Sequence, residues 1–154
     1  MKMQLQEMTD KEFTYYSKFS YENYIKDYAF YSKISIEKAR EKTGNGIIKR
    51  TDYDLWYLAQ VEAQIIGYFW IQTYPSQKDS FGFDIFINEE HRGKGYGREL
   101  IKQGKELLNS KGISKLRISV FKDNYIAKSL YDSLGFYIFE TTQKTHTYNM
   151  QMDL

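Results

Sequence analysis

Apolar residues along this chain follow two periods, and the points where one gives way to the other divide it into strands and helices. Met3 to Met8 reads as a short first strand. Thr9 or Asp10 then opens a helix, with Glu12 three residues after Thr9 to complete a capping pair. That helix runs to about Tyr31, with Phe13, Tyr16, Phe19 or Ser20, Tyr24 and Tyr28 along one side. Ser35 begins a second helix through about Lys42, ended by Gly44-Asn45-Gly46. Leu55 to Val61 and Ile65 to Tyr74 are strands joined tightly through Glu62-Ala63-Gln64, and Pro75, the single proline, closes the second. Pro75 to Ser80 is expected as a loop, Phe81 to Asn88 as a strand, and Tyr96 to Lys111 as a helix ending at Gly112. Leu116 to Phe121 forms a strand leading through Lys122-Asp123 into a last helix. There Ile126, Leu130 and Leu134 recur at helical spacing, with Ala127 and Tyr131 one step round and Gly135 as the stop. The final strands are expected over about Phe136 to Thr142 and Thr145 to Met152. No linker, repeat or low-complexity segment interrupts residues 1–154, which read as one domain in the order β-α-α-β-β-β-α-β-α-β-β.

Composition narrows the function without choosing it. The 154 residues suit a single hydrophobic core, and 42% hydrophobic with 27% charged is ordinary for a soluble globular protein. A net charge of +2, with acids and bases interspersed, gives no basic stripe for nucleic acid. No apolar run is long enough for a membrane span, and Met1 to Gln6 lacks a signal-peptide core, so the expected location is a bacterial-type cytoplasm. The absence of cysteine removes disulfides, thiolate-held zinc and a cysteine nucleophile. His91 and His146 read as surface residues that nothing pairs as ligands, so no metal is expected. The 18% of aromatic residues belong first to the core and half-buried strands.

The most informative stretch is Arg92-Gly93-Lys94-Gly95-Tyr96-Gly97, between the strand containing Ile85, Phe86 and Ile87 and the helix that follows. Closely spaced glycines let the backbone turn and bring amides near a ligand, and the helix aims its unpaired N–H groups at the same point. A strand, glycine turn and helix in this order form a pyrophosphate cradle. Neither the dinucleotide spacing G-x-G-x-x-G nor the Walker A pattern fits, since Gly95 and Gly97 stand two apart and Gly95, not Ser or Thr, follows Lys94.

The pattern that does fit is [Q/R]-x-x-G-x-[G/A], carried by Arg92, Gly95 and Gly97. A second block, N-x-x-A-x-x-[LF]-Y-x-x-x-G-F, is matched by Asn124, Ala127, Leu130, Tyr131, Gly135 and Phe136. Together these resemble the two signatures of the GNAT N-acetyltransferase superfamily, and the chain is similar to its poorly characterised bacterial YycN-like members. The resemblance implies an α/β (α+β) GNAT fold: a mixed, mostly antiparallel sheet of about seven strands flanked by about four helices. It implies acetyl-CoA as cosubstrate and no metal. Backbone groups of Ile85, Phe86 and Ile87 would hold the pantetheine arm as an added strand. Arg92 to Gly97 would hold the pyrophosphate, with the Arg92 side chain either solvated or paired to phosphate. Asn124 would touch the cosubstrate or cap the following helix, capping being the better supported from sequence.

The implied reaction is attack of an amine on the thioester carbonyl, which calls for a neutral amine and a protonated leaving thiolate. Tyr131 is the expected acid, since a phenol keeps its proton at neutral pH. Asp84 is the expected base; it holds the position of an Asp found in some polyamine acetyltransferases, and an acid in an apolar strand needs a purpose or a partner, a nearby Arg or Lys being the other reading. Glu89 and Glu90 solvate the turn. Where many protein N-terminal acetyltransferases carry a Glu, five residues before Asn124, this chain has Ser119. The acceptor, a small-molecule or peptide amine, is expected between the N-terminal helices and the strands around Trp56, Trp70 and Tyr74. Trp56 and Trp70 either wall that channel or pack the core, and the sequence does not choose the amine. Two other readings stand beside the enzyme: a non-catalytic acyl-CoA-binding sensor, and a nucleotide-phosphate binder on another fold. Dimers are common in the superfamily, so the resemblance allows a homodimer.

Overall fold

A computed structural model describes residues 2–141 and 146–154. The strands are β1 (Met3–Glu7), β2 (Asp54–Val61), β3 (Gln64–Tyr74), β4 (Asp79–Ile87), β5 (Lys115–Phe121), β6 (Tyr137–Thr141) and β7 (Thr147–Asp153). The helices are α1 (Asp10–Ser32), α2 (Ile36–Thr43), α3 (Tyr96–Ser110) and α4 (Tyr125–Ser133). The expected strand ends at Thr142 and Thr145 lie outside the described residues. The sheet runs β1-β2-β3-β4-β5-β7-β6, antiparallel everywhere except between β4 and β5. This is the mixed, mostly antiparallel sheet with helices on both faces that the motifs imply.

Local signals account for most element ends. Glu12 N–H donates to Thr9 Oγ1 at 3.1 Å and Thr9 N–H to Glu12 Oε1 at 2.9 Å, which closes the capping box of α1. Ser35 caps α2. Glu62 and Ala63 both take positive φ, the geometry of a two-residue hairpin turn between β2 and β3. Asn124 caps α4 through its Oδ1, which accepts from Ala127 N–H at 3.3 Å, and Gly135 follows that helix at φ 97°.

Two differences from the sequence reading are local. The expected loop after Pro75 is a 3-10 turn, Pro75–Gln77, and β4 already begins at Asp79, paired with Tyr74. In α4 the stripe turns by one position: Ile126 is 88% exposed, while Ala127, Leu130, Tyr131 and Leu134 pack on the core. Neighbours at i and i+1 lie about 100° apart on a helix, so spacing alone leaves open which of two adjacent stripes faces inward.

The sheet separates two apolar layers. Phe69, Ile71 and Ile118 of the sheet pack with Leu100 and Leu108 of α3 and Leu130 of α4. Trp56, Leu58 and Tyr68 pack beneath α1 with Phe13, Tyr16 and Phe19. Among the described residues no helix is long and apolar enough to cross a membrane.

Gly67 lies where β3 faces β4, and a Cβ there would come 2.1 Å from the Phe86 carbonyl oxygen. Backbone cannot yield as a flexible side chain can, so Gly67→Ala is expected to cost about 2–3 kcal/mol. Urea denaturation of the two proteins measures it, and equal midpoints would show that the ladder moves freely there.

Candidate active site

The sheet opens at one seam. β4 and β5 pair at Phe81↔Arg117 and Gly82↔Ile118, and their register goes no further. Across the other edge of β4, Ile71 pairs with Gly82 but Trp70 pairs with Asp84, so Phe83 is an extra residue, a β-bulge. The bulge breaks the alternation of side chains. Phe83 stacks on Trp70, ring centroids 4.4 Å apart, and its neighbour Asp84 reaches Tyr68 and Ser20 on the same side of the sheet. Beyond Gly82 the strands part and leave one edge of β4 unpaired with β5 while the other stays in the ladder with β3.

A cleft of about 540 Å³ fills the gap and passes through the sheet. Ser20, Tyr24 and Asp27 of α1 line one mouth, and Ala127 and Tyr131 of α4 line the other. Asp84 stands between them. Its Oδ2 accepts from Ser20 Oγ at 2.6 Å and from the Tyr68 hydroxyl at 2.5 Å. Where β4 ends, a 3-10 turn (Glu89–His91) leads into Arg92 to Gly97 and α3. Gly93 and Gly95 take φ of 77° and 85°, a region that side chains disfavour. Gly95 is the N-cap of α3 and has no side chain with which to cap it. The first-turn amides of a helix lack intrahelical acceptors, and nothing lies within 4 Å of where a Cβ on Gly93 or Gly95 would be. The turn is therefore open, and it lies at the end of a strand whose pairing with β5 has stopped.

A model of the acetyltransferase (GNAT) family matches residues 5–136. The chain belongs to the GNAT family. It is 36% identical over 86 residues to the uncharacterized N-acetyltransferase YycN of Bacillus subtilis, a match covering 54% of this chain and 55% of that protein. It is 26% identical over 145 residues to YdgE of the same organism, also an uncharacterized N-acetyltransferase, covering 88% and 92%. The chain thus spans about half the length of YycN in that alignment and nearly all of YdgE. The crystal structure of YycN superposes with a TM-score of 0.81 at 24% identity, covering 94% of this chain and 98% of that one. The PaiA N-acetyltransferase of Thermoplasma acidophilum, solved in complex with coenzyme A, superposes with a TM-score of 0.74 at 19% identity over the full length of both.

In this GNAT chain the sequence-predicted residues fall on both sides of one seam. Asp84, Ile85, Tyr131 and Asn124 line the cleft. Phe86 instead packs in the layer under α1, and Ile87 is buried, so their side chains serve the core. The Arg92 side chain is exposed, as one of its two readings has it, while its Nε donates to the Ile87 carbonyl at 2.8 Å and its guanidinium lies 5.1 Å from the Phe86 ring centre. Trp70 lines the cleft, whereas Trp56 is fully buried beneath α1 and stacked on Trp70 at 4.7 Å. Tyr74 lies outside the lining. His91 corrects the surface reading: its side chain is 15% exposed and meets Tyr96 edge-on, because the 3-10 turn folds it inward. His146 is exposed.

The alternative reading of Asp84, a partner among nearby Arg or Lys, does not hold: its partners are two hydroxyls. Burial raises its pKa, the two hydrogen bonds lower it, and the charge of Asp27 adds to the rise. Tyr131 is pushed up to about 12, by burial first and the Asp84 charge second. Tyr68 is raised for the same two reasons, so its proton stays on the phenol and toward Asp84. Ser20, Tyr68 and Asp27 escaped the sequence reading. The available signal was a polar residue on the inward stripe of a helix, at Ser20 and again two turns later at Asp27.

Burial outweighs the hydrogen bonds at Asp84, so the folded protein holds a proton there more readily than the unfolded chain. Its contribution to stability is present below the unfolded value, about 4, and is lost as pH rises through the higher folded value. Asp84→Asn removes the buried charge and keeps an oxygen for both hydroxyls. At pH 7 the variant is expected to melt at a temperature equal to or above the parent, with the gap closing as pH falls toward about 4. Calorimetric melting across pH checks this; a lower midpoint at pH 7 would mean that the carboxylate's hydrogen bonds outweigh its burial.

Proposed function

We propose that this GNAT protein is an acetyl-CoA-dependent N-acetyltransferase that acts on a primary amine, with residues 1–154 as one catalytic domain. The observation that carries the reading is the through-sheet cleft, with Asp84 at its middle, Tyr131 at one mouth and the glycine turn at the end of the same strand. The unpaired edge of β4 at Ile85, Phe86 and Ile87 suits an extended amide-bearing arm, bound through backbone groups. The amides of Gly93 to Gly97, beside Lys94, suit a pyrophosphate, and Arg92 holds the turn against the end of β4. Asn124 keeps α4 in place by capping it, at the rim of the cleft.

Bound acetyl-CoA would supply an activated acetyl thioester. Asp84 faces the α1 mouth, and there a carboxylate with a raised pKa can attract an ammonium and take the proton that the amine gives up. Ser20 and Tyr68 hold that carboxylate in one orientation. In the overall change a C–N bond forms, the C–S bond breaks and the amine's proton leaves through Asp84. Tyr131 faces the other mouth with its proton firmly held, and its value of about 12 stands above the ordinary thiol value of about 8.5. Its hydroxyl therefore stabilises a departing thiolate first as a hydrogen-bond donor. It becomes a stronger acid once Asp84 is protonated, because the Asp84 charge is one cause of its raised pKa.

Tyr131→Phe is expected to lower turnover about a hundredfold while acetyl-CoA affinity stays within about twofold, the split expected when a positioned acid is lost. Amine-dependent release of CoA and calorimetric titration with acetyl-CoA measure the two quantities, with ATP and NAD as binding controls. Equal turnover would remove Tyr131 from the mechanism. Binding without release from any amine, in the parent protein, would instead support the acyl-CoA sensor.

Gly95→Val is expected to weaken acetyl-CoA binding about tenfold, since a β-branched residue resists φ of 85° at a cost of about 1–2 kcal/mol. The space around that Cβ is open, so the cause is backbone strain rather than the steric obstruction that glycine spacing suggests. Unchanged affinity in a folded variant would reject the turn as the pyrophosphate site.

A further inference from the structure

The α1 mouth of the cleft carries a second carboxylate that the transfer reaction does not need. Asp27 and Asp84 are the charged side chains of the lining among the described residues, and both are acidic. Asp27 is half-buried, and no hydrogen bond or ion pair holds it among the described residues. Burial raises its pKa and the charge of Arg92 opposes that rise, with no hydrogen bond between the two; Arg92 gives its Nε to the Ile87 carbonyl. A carboxylate half removed from water with no donor hydrogen-bonded to it gains from a cation that enters beside it. Asp27 follows Ser20, which grips Asp84, by seven residues of α1, which places the two acidic positions about 10 Å apart along the helix. The lining of the cleft is also aromatic: Tyr24 of α1, itself stacked on Phe121, and Trp70 and Phe83, stacked on each other. Aromatic faces attract alkylammonium groups and pack methylenes, and they offer nothing to a carboxylate.

We propose that Asp27 is a specificity-determining residue, and that the cleft takes a linear acceptor with two ammonium groups, one delivered to Asp84 and the other held at Asp27. An amine whose far end carries a carboxylate is excluded by like charge. The inference rests on the N-acetyltransferase reading and deepens it from any primary amine to a diamine.

The experiment compares three acceptors of one length on the purified protein with acetyl-CoA: diaminooctane, octylamine and aminooctanoate. The parent is expected to prefer the diamine over the monoamine about tenfold or more in kcat/KM, chiefly through KM, and to use the amino acid least. Asp27→Asn is expected to bring the diamine-to-monoamine ratio close to one. Asp27→Glu, which keeps the charge on a longer arm, is expected to restore the preference and move it toward the shorter diaminohexane. Equal use of the three acceptors by the parent, or a ratio unmoved in Asp27→Asn, overturns the inference while CoA release still upholds the transferase. Calorimetric titration of the CoA-loaded protein with the same compounds separates the other failure. Asp27-dependent diamine binding without CoA release from any amine would support the site and reject the transferase, and no diamine binding at millimolar concentration would reject the site.

Discussion

Two strands that begin to pair and then separate govern the rest of this molecule. Parallel neighbours need a crossover connection, and α3 supplies it between β4 and β5. Pairing lasts for two positions and stops beside the bulge at Phe83. A continuous sheet would have satisfied the β4 edge and left no passage from one face to the other. Because it opens there, the end of β4 and the start of α3 converge on the glycine turn, and α4, which follows β5, brings Tyr131 to the far side of the same gap. The bulge adds the second condition by turning Phe83 and Asp84 to one side, so that a wall of the cleft and its central carboxylate come from consecutive residues.

Charge in the cleft forms one linked system. Asp84 is buried and held by two hydroxyls, yet burial still wins and raises its pKa. Its charge contributes to the raised values of Tyr68 and Tyr131, and Asp27 contributes to its own. A proton taken up at Asp84 therefore relaxes both phenols, and a cation entering at the α1 mouth favours the ionised carboxylates. The protonation of groups on the two sides of the sheet is thus coupled through a single carboxylate. Structural cost sits at the same point, since a charge on the buried Asp84 opposes folding.

Much of the fold was legible because its determinants are short in sequence. The capping box at Thr9 and Glu12, the cap at Asn124, the turn at Glu62-Ala63 and the stop at Gly135 each depend on residues within four positions of one another. The glycine turn was legible for the same reason: three glycines in five residues between a strand and a helix specify a backbone shape before any tertiary contact forms. The two motif blocks, whose pattern is also local, were enough to place the chain in its family.

Convergence across the sheet was decided only by tertiary structure. Ser20 and Asp84 stand 64 positions apart, and they meet because α1 crosses the sheet at the bulge, where one extra residue reverses the alternation that a period-two reading assumes. The Arg92 side chain, the inward fold of His91, the exposure of Ile126 and the contrast between buried Trp56 and cleft-lining Trp70 all depend on which surface packs against which. Hydrophobic periodicity encodes that a face is buried, but not which other element buries it. The sequence by itself therefore determined most of the elements and their ends, the glycine turn and the family. The open seam, the hydroxyl pair around Asp84 and the second carboxylate at Asp27 came from strand register and helix crossing, which are long-range.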